Sequence, residues 1–318
     1  MCYHRRINKH ETEKMDTLKT GTDVSNLSDH NVMLEASNLD WDITVNPMRY
    51  GDFGEYEAPG IYGAYRSDNN EFIDVYRSRK AVSNLDALVL FDAMLKAFDP
   101  TYKIDSLGEV RDGKHIYMSS KLPITISPEK HKGDITEVSI IMTNSHLNGV
   151  GGSISLYYER LACTNGMTTP VKTGISITHS NKFAENCLNS FNGIIELIRK
   201  KQDIINVLSV SKLNEHEAED IVTSIFNKKS EDSGENTITT DNILNMFEDN
   251  SYAGSEMVEP GTCYALLNCA TEYFSHYQTV ANDKHRFANI IGVQPSQAWL
   301  KSMMKLEQSL VQHVTVSI

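Results

Sequence analysis

Cysteine and histidine side chains in the middle of the chain are candidates for metal binding or nucleophilic chemistry. Cys163, Cys187, His146 and His179 offer the thiolate and imidazole groups that bind zinc. Their separations do not match compact zinc spacings, and the sequence has no Cys-x-x-Cys pair. Cys163 with His179 as its base is an alternative, but a cysteine within a buried segment is usually inert. We therefore expect no metal, no cofactor and no catalytic residue.

A glycine-rich segment, residues 148–153, is a candidate phosphate-binding loop. It lacks the lysine of such loops, and strand-like instead of helical sequence follows it. The segment is therefore predicted to be a turn between two strands.

Aromatic and basic residues alternate between residues 61 and 80. Single-stranded nucleic acids bind where bases stack on aromatic rings and Arg or Lys neutralises phosphates. The alternative is that the tyrosines pack within a sheet while the charges face water. The residues concerned are Tyr62, Tyr65, Arg66, Phe72, Tyr76, Arg77, Arg79 and Lys80.

The bulk composition is that of a globular chain. It has 318 residues, 40% hydrophobic and 23% charged, which allows one large domain or two ordinary ones. The net charge is −12, of which residues 215–259 carry −10 (twelve acidic residues, two lysines), leaving −2 for the rest.

Five cysteines, an odd and sparse number, indicate a reducing compartment. No apolar run approaches the roughly 18 residues of a membrane span, and the start does not have the pattern of a signal peptide.

Hydrophobic periodicity predicts an α+β fold: an antiparallel β-sheet body with a β-β-β-α core and a helical C-terminal part. Strands are predicted near 39–47, 61–66 and 71–77, with a turn-rich stretch over 51–60, and a helix over 85–98. More strands are predicted at 102–110, 115–122, 135–143, 153–159 and 174–179, and helices at 183–208, 214–226, 241–248, 262–280 and 296–311. The predicted domains are a flexible leader, 1–38, a β-rich body with one internal helix, 39–180, and a helical part, 181–318, with a flexible acidic insertion near 228–240.

Three segments resemble the phage/plasmid-like protein family, a domain of unknown function of phage and plasmid genomes. The central segment, residues 160–167, is an Arg-apolar-apolar-Cys-x-Asn sequence that an apolar-x-His step follows at 177–179. The others are residues 41–47 and 264–273, so the resemblance spans roughly 39–313. It implies a mobile-element origin and assigns no reaction. We interpret the central segment as structural, with Asn165 and Gly166 in a tight turn.

The predicted element order also resembles the core of the phage single-strand annealing proteins, the RecT, Red-beta and Erf group. This resemblance implies rings or filaments that hold DNA in a basic groove. The first hypothesis is therefore that the protein is encoded by a phage, is not an enzyme, and binds or anneals single-stranded DNA in recombination or replication. We expect it to be a homo-oligomer in the cytoplasm of the bacterial host that does not associate with a membrane. Its predicted DNA-binding residues are Tyr62, Tyr65, Arg66, Tyr76, Arg77, Arg79, Lys80, Arg111, Lys114, Arg160 and Lys182.

The second hypothesis is an acidic phage modulator that binds a host or defence protein. It rests on the acidic residues 215–259, which can imitate the charge of a nucleic acid. An enzyme is a third alternative and requires Cys163, His179 and a carboxylate to meet in one pocket.

Overall fold

The structure, a computed structural model, describes residues 21–77, 81–162, 165–170, 183–227, 237–293 and 297–316. These residues form two antiparallel sheets and eight α-helices, so the predicted α+β class is confirmed. They begin with β1 (Thr22–Asp23) and α1 (His30–Ala36), which lie within the predicted flexible leader. The Asp29 carboxylate caps α1 by accepting hydrogen bonds from the N–H groups of Asn31 and Val32. The prediction failed there because a helix this short shows no sustained apolar period.

The first sheet has three strands in chain order: β2 (Ile43–Tyr50), β3 (Tyr56–Arg66) and β4 (Phe72–Tyr76). Helix α2 (Asn84–Phe98) follows, which confirms the predicted β-β-β-α core. Pro47, predicted to end the first strand, lies within β2 opposite Tyr62. Because β2 is an edge strand, the position without an N–H can face away from the sheet. The turn is shorter in the structure than the predicted stretch over 51–60, since β3 begins at Tyr56.

The second sheet has the order β1-β5-β6-β7-β8-β9. Its further strands are β5 (Ser106–Val110), β6 (His115–Ile126), β7 (Thr136–Ser145), β8 (Ser153–Arg160) and β9 (Asn165–Pro170). The glycine-rich segment joins β7 to β8 as the predicted turn. The strand predicted at 174–179 lies outside the described residues.

The remaining described residues are mainly helical, as predicted. They form α3 (Phe183–Val210), α4 (Glu215–Phe226), α5 (Ile238–Glu248), α6 (Cys263–Glu272), α7 (Asp283–Ile290) and α8 (Ala298–Val316). A π-helical segment, Tyr273–Tyr277, extends α6. Of the predicted acidic insertion, residues 228–236 lie outside the described part, and Thr237 caps α5 through its hydroxyl.

Helix α6 lies in the core of the molecule. All ten of its residues are buried, and it contacts α3, α5, α8 and β9. A helix that is buried all round needs partners for its polar side chains as well as its apolar ones. Among the described helices, none is both long enough and apolar enough to cross a bilayer.

Asn84, at the start of α2, joins the two sheets. Its side-chain N–H groups donate to the carbonyl oxygens of Leu39 and Trp41 at 3.0 and 2.9 Å, and its Oδ1 lies 2.9 Å from Nε2 of His146. The Tyr76 hydroxyl donates to the carbonyl oxygen of His146 at 2.7 Å. Burial, together with the nearby charges of His115 and Arg66, lowers the pKa of His146 to about 4. The imidazole is therefore a neutral structural group at this junction.

Candidate functional site

Arg66, a predicted phosphate ligand, is buried with a relative exposure of 8%. Its guanidinium lies 4.1 Å from the centre of the Trp41 ring. It donates two hydrogen bonds to Asp68, at 3.0 and 2.8 Å, and one to Glu109 at 2.9 Å. Since two carboxylates already neutralise this charge, the placement argues against Arg66 as a DNA ligand and for a structural role.

The three predicted stacking tyrosines do not share one surface. Tyr62 pairs directly with Tyr76, so both lie on the face that packs towards His146. Tyr76 is buried, which raises its pKa to about 12. Tyr65 lies on the opposite face, paired with Phe72, and their ring centres are 5.6 Å apart. A single platform of Tyr62, Tyr65 and Tyr76 is therefore not formed.

The other predicted cations are dispersed. Arg77 is exposed at the end of β4. Arg111 and Lys114 are half-buried in the β5–β6 turn, where Arg111 donates to Oδ1 of Asn289 at 2.8 Å. This turn lies against Arg66, because a Cβ on Gly113 would come within 2.5 Å of the Arg66 side chain. Arg79, Lys80 and Lys182 lie outside the described residues.

Arg160 is at the centre of a buried polar cluster. It is 4% exposed, and its Nε lies 2.5 Å from Asp134, which is fully buried. Its other nitrogens donate to the carbonyl oxygens of Ala253 and Gly254, both at 2.9 Å. The Tyr264 hydroxyl donates to Asp134 at 3.0 Å. The guanidinium thus holds β8 to the loop before α6, and its saturated hydrogen bonds argue against a phosphate contact.

The residues that follow Arg160 differ from the predicted turn. Asn165 and Gly166 are the first residues of β9 and pair with Arg160 and Glu159. The Gly166 N–H also donates to the hydroxyl of Ser275 in the π-helical segment, at 3.2 Å. Gly166 lies close to the buried Tyr157 ring, and this approach explains the glycine better than a turn does. Cys163 and His179 lie outside the described residues.

The hairpin between β2 and β3 carries an exposed aromatic cluster that the sequence reasoning missed. β4 pairs with β3 between Tyr62 and Tyr65, so residues 48–61 extend beyond it as a two-stranded ribbon, here named the aromatic arm. Phe53 at its tip is 92% exposed, and Tyr50 and Tyr56 are each 59% exposed. The rings of Tyr50 and Tyr56 are paired across the ribbon, with centres 5.5 Å apart.

The turn of the aromatic arm depends on two glycines. Gly51 has φ of +97° and Gly54 of +70°, which other residues rarely adopt. The N–H of Gly54 donates to the carbonyl oxygen of Gly51, and the N–H of Phe53 donates to the Glu55 carboxylate. The signal in the sequence was three aromatic residues placed evenly around Gly51 and Gly54, which is unusual for a turn exposed to water.

The described residues include no group of three His, Cys, Asp or Glu side chains placed to hold a metal ion. Cys263 and Cys269 are buried free thiols. Burial raises the pKa of Cys263 to about 11 and that of Cys269 well above its usual value. Both sulfurs are therefore protonated near neutral pH and poorly nucleophilic.

The comparison with protein families gives one match, the Domain of unknown function (DUF932), over residues 75–291. This match covers more than half of the 318 residues. The chain belongs to the DUF932 family. The chain thus carries a domain of unknown function, as predicted, while the phage or plasmid origin and the likeness to annealing proteins stay predictions. No curated protein and no solved structure matches the chain.

The DUF932 residues include Asp134, Arg160 and Tyr264, so the buried polar cluster lies inside the family domain. Two of the three resembling segments, 160–167 and 264–273, also lie inside it. The segment 41–47 and the aromatic arm lie before it. The arm is thus a feature of this chain outside the matched DUF932 residues.

Proposed function

We propose that this protein is a non-enzymatic binding protein that contacts another protein through the aromatic arm. The observation that carries the proposal is the exposure of Phe53, Tyr50 and Tyr56 on one projecting ribbon. Aromatic residues are enriched in protein interfaces, where a few of them provide most of the binding energy. An isolated two-stranded ribbon is also only marginally stable in water. A partner that covers the three rings removes them from water and stabilises the ribbon.

The charge of the arm supports a protein partner over a nucleic acid. Its charged residues are Arg49, Asp52, Glu55 and Glu57, three acidic and one basic. Arg49 is paired with Glu57 at 2.9 Å, so its charge is partly neutralised. Residues 41–77 as a whole hold seven acidic and three basic side chains. Phosphates are repelled by such a surface, whereas an apolar cleft lined by Lys and Arg complements it. This proposal keeps the protein partner of the acidic modulator hypothesis but uses the arm in place of residues 215–259, on which that hypothesis rested.

Single-stranded DNA remains a second candidate because of the outer face of the three-stranded sheet. Tyr65 and the 47% exposed Phe72 present adjacent rings there, and the exposed Arg77 ends the neighbouring strand. Stacking on such rings needs no base-specific contact. Under this candidate, the protein is a homo-oligomer that anneals DNA in recombination or replication. Under both candidates, the protein is encoded by a phage and acts in the cytoplasm of the bacterial host.

Photo-crosslinking tests the first candidate. A photoreactive phenylalanine analogue is placed at position 53 of the full chain, and the same analogue at Ile238, another exposed apolar position, is the matched control. We expect a discrete protein adduct in the bacterial host from position 53 and none from position 238. Excess unlabelled wild type must suppress the adduct, while the Phe53→Ser variant must not. An adduct that both proteins suppress equally, or no adduct, contradicts the proposal.

Fluorescence anisotropy with a labelled oligonucleotide tests the second candidate. At low salt, the double variant Tyr65→Ala, Phe72→Ala is expected to bind at least tenfold more weakly than wild type, because each stacked base contributes about 1–3 kcal/mol. Phe53→Ser is the control that separates the two surfaces. Absence of wild-type binding at low salt eliminates single-stranded DNA as the partner.

A further inference from the structure

A small cavity lies between β8, α3 and α6, next to the buried polar cluster. Its volume is about 40 Å³. Six of the side chains that line it carry polar groups, and they come from β7, β8, α3 and α6. They are Thr136, Tyr158, Arg160, Lys201, Asn268 and Thr271. All six are buried, with relative exposures of at most 6%. Met167, Ile205 and Leu267 also line the cavity and make much of its surface apolar, so a guest must both fit among apolar atoms and pair with the polar ones.

Tyr158 supplies the clearest sign of a missing ligand. The residue is 3% exposed, and its hydroxyl is a buried group with no hydrogen-bond partner among the described residues. Buried polar groups in native proteins almost always have a partner, and each exception needs an explanation. Desolvation raises the pKa of Tyr158, so the hydroxyl is protonated and available as a donor.

The charges around the cavity are arranged asymmetrically. Two cations line it, Arg160 and Lys201, and no acidic residue does so among the described residues. The balancing carboxylates belong to Asp134, which binds Arg160, and to Glu307, which binds Lys201. The Lys201 ammonium also lies 5.4 Å from the centre of the Tyr158 ring. The lining therefore offers two cations and a hydroxyl donor, while Glu307 lies close enough to the Tyr158 hydroxyl to raise its pKa.

The size of the cavity restricts the guest. A water-sized probe occupies roughly 10–15 Å³, so the volume of about 40 Å³ accommodates a group of three or four heavy atoms at most. Nucleotides and sugars are far too large. Chloride, nitrate, formate and the carboxylate of acetate are small enough, and each accepts the hydrogen bonds that this lining offers.

We propose that this cavity is a binding site for a small monovalent anion, held by the Tyr158 hydroxyl and the Lys201 ammonium. The Arg160 guanidinium, already bound to Asp134, adds long-range attraction. The anion is either inorganic or a carboxylate, since both have the same acceptor chemistry. This site is independent of the aromatic arm, which lies on the other sheet.

Thermal unfolding of the full chain in chloride, nitrate, formate and acetate tests the proposal, because a ligand that binds the folded state raises the unfolding midpoint in a saturable way. Tyr158→Phe removes the hydroxyl and leaves the ring. Tyr252→Phe is the matched control, since the Tyr252 hydroxyl is also buried without a partner but does not line the cavity. We expect a saturable rise in wild type and Tyr252→Phe, with a dissociation constant at least tenfold weaker in Tyr158→Phe.

Isothermal titration calorimetry with the most effective anion provides a second readout that does not depend on unfolding. If nitrate or chloride produces the rise, the guest is inorganic; if formate or acetate does, it is a carboxylate. The proposal is overturned if no anion gives a saturable rise in wild type. It is also overturned if Tyr158→Phe responds as wild type does, because the anion then binds without the Tyr158 hydroxyl.

Discussion

At the scale of the residue, the partners of a charged side chain determine its role more than its type does. Arg66 and Arg160 have the chemistry of phosphate ligands, yet each is buried and bound to carboxylates. A buried ion pair adds little net stability, but loss of one partner leaves a desolvated charge behind. Loss of either arginine is therefore expected to lower the stability more than loss of Arg49, whose side chain is 60% exposed.

Replacing Arg160 by methionine tests this role. The change leaves Asp134 buried without its cation and two carbonyl oxygens without donors. We expect the free energy of unfolding to fall by about 3–5 kcal/mol. Urea titration followed by circular dichroism measures it. Arg49→Met is the control and should cost at most about 1 kcal/mol, because exposed ion pairs contribute little. Equal losses in the two variants refute the structural role of Arg160.

At the scale of the element, close approaches between chain segments decide which residues a strand tolerates. β9 begins with Asn165 and Gly166, which are residues typical of turns. The extended backbone is accepted here because the glycine leaves room for the Tyr157 ring, which is fully buried beneath it. The aromatic arm shows the opposite case, since its two strands extend beyond the sheet and leave three rings uncovered.

Gly166→Ala is the test of this close approach. An added Cβ would lie 2.2 Å from the Tyr157 hydroxyl oxygen. Since Tyr157 is fully buried, we expect a loss of about 1–3 kcal/mol from overpacking. Gly193→Ala in α3 is the matched control, because its Cβ meets nothing within 4 Å. That change should stabilise the protein by about 0.5–1 kcal/mol through helix propensity. Thermal unfolding distinguishes the two, and opposite signs are required.

At the scale of the whole molecule, the two sheets are joined through Asn84 and His146, and this junction makes stability depend on pH. The pKa of His146 is lowered from 6.5 to about 4 in the folded protein. Between these values the unfolded state binds more protons than the folded state. The contribution of the neutral imidazole is therefore fully present above pH 6.5 and is lost as the pH falls towards 4.

Unfolding titrations between pH 4 and 7 measure this dependence. In wild type we expect His146 to account for a loss of about 3 kcal/mol over the interval, at 1.36 kcal/mol per pKa unit. His146→Gln keeps a hydrogen-bonding side chain without a titrating ring, so its stability should vary less with pH. His216→Gln, at an exposed position, should retain the wild-type slope. Parallel profiles for wild type and His146→Gln would show that another group titrates.

Much of the fold follows from local sequence. The helix over 85–98 and the hairpin of residues 135–159 are close to the prediction, because apolar periodicity and turn residues act over a few positions. The hairpin predicted over 102–122 also forms, although its first strand begins at Ser106. Helix α1 and the start of β9 were missed or misassigned. Their stability depends on packing against distant segments, which a short sequence pattern does not predict.

The sequence by itself determined the fold class and the helical C-terminal part. The candidate interaction surface depended on tertiary structure. Contacts between residues far apart in the chain, such as Arg66 with Glu109 and Arg160 with Gly254, removed two cations from the predicted groove. Strand pairing placed Tyr62 and Tyr65 on opposite faces and left the aromatic arm uncovered. Burial and pairing are properties of the whole chain in three dimensions, which is why residue types alone did not predict them.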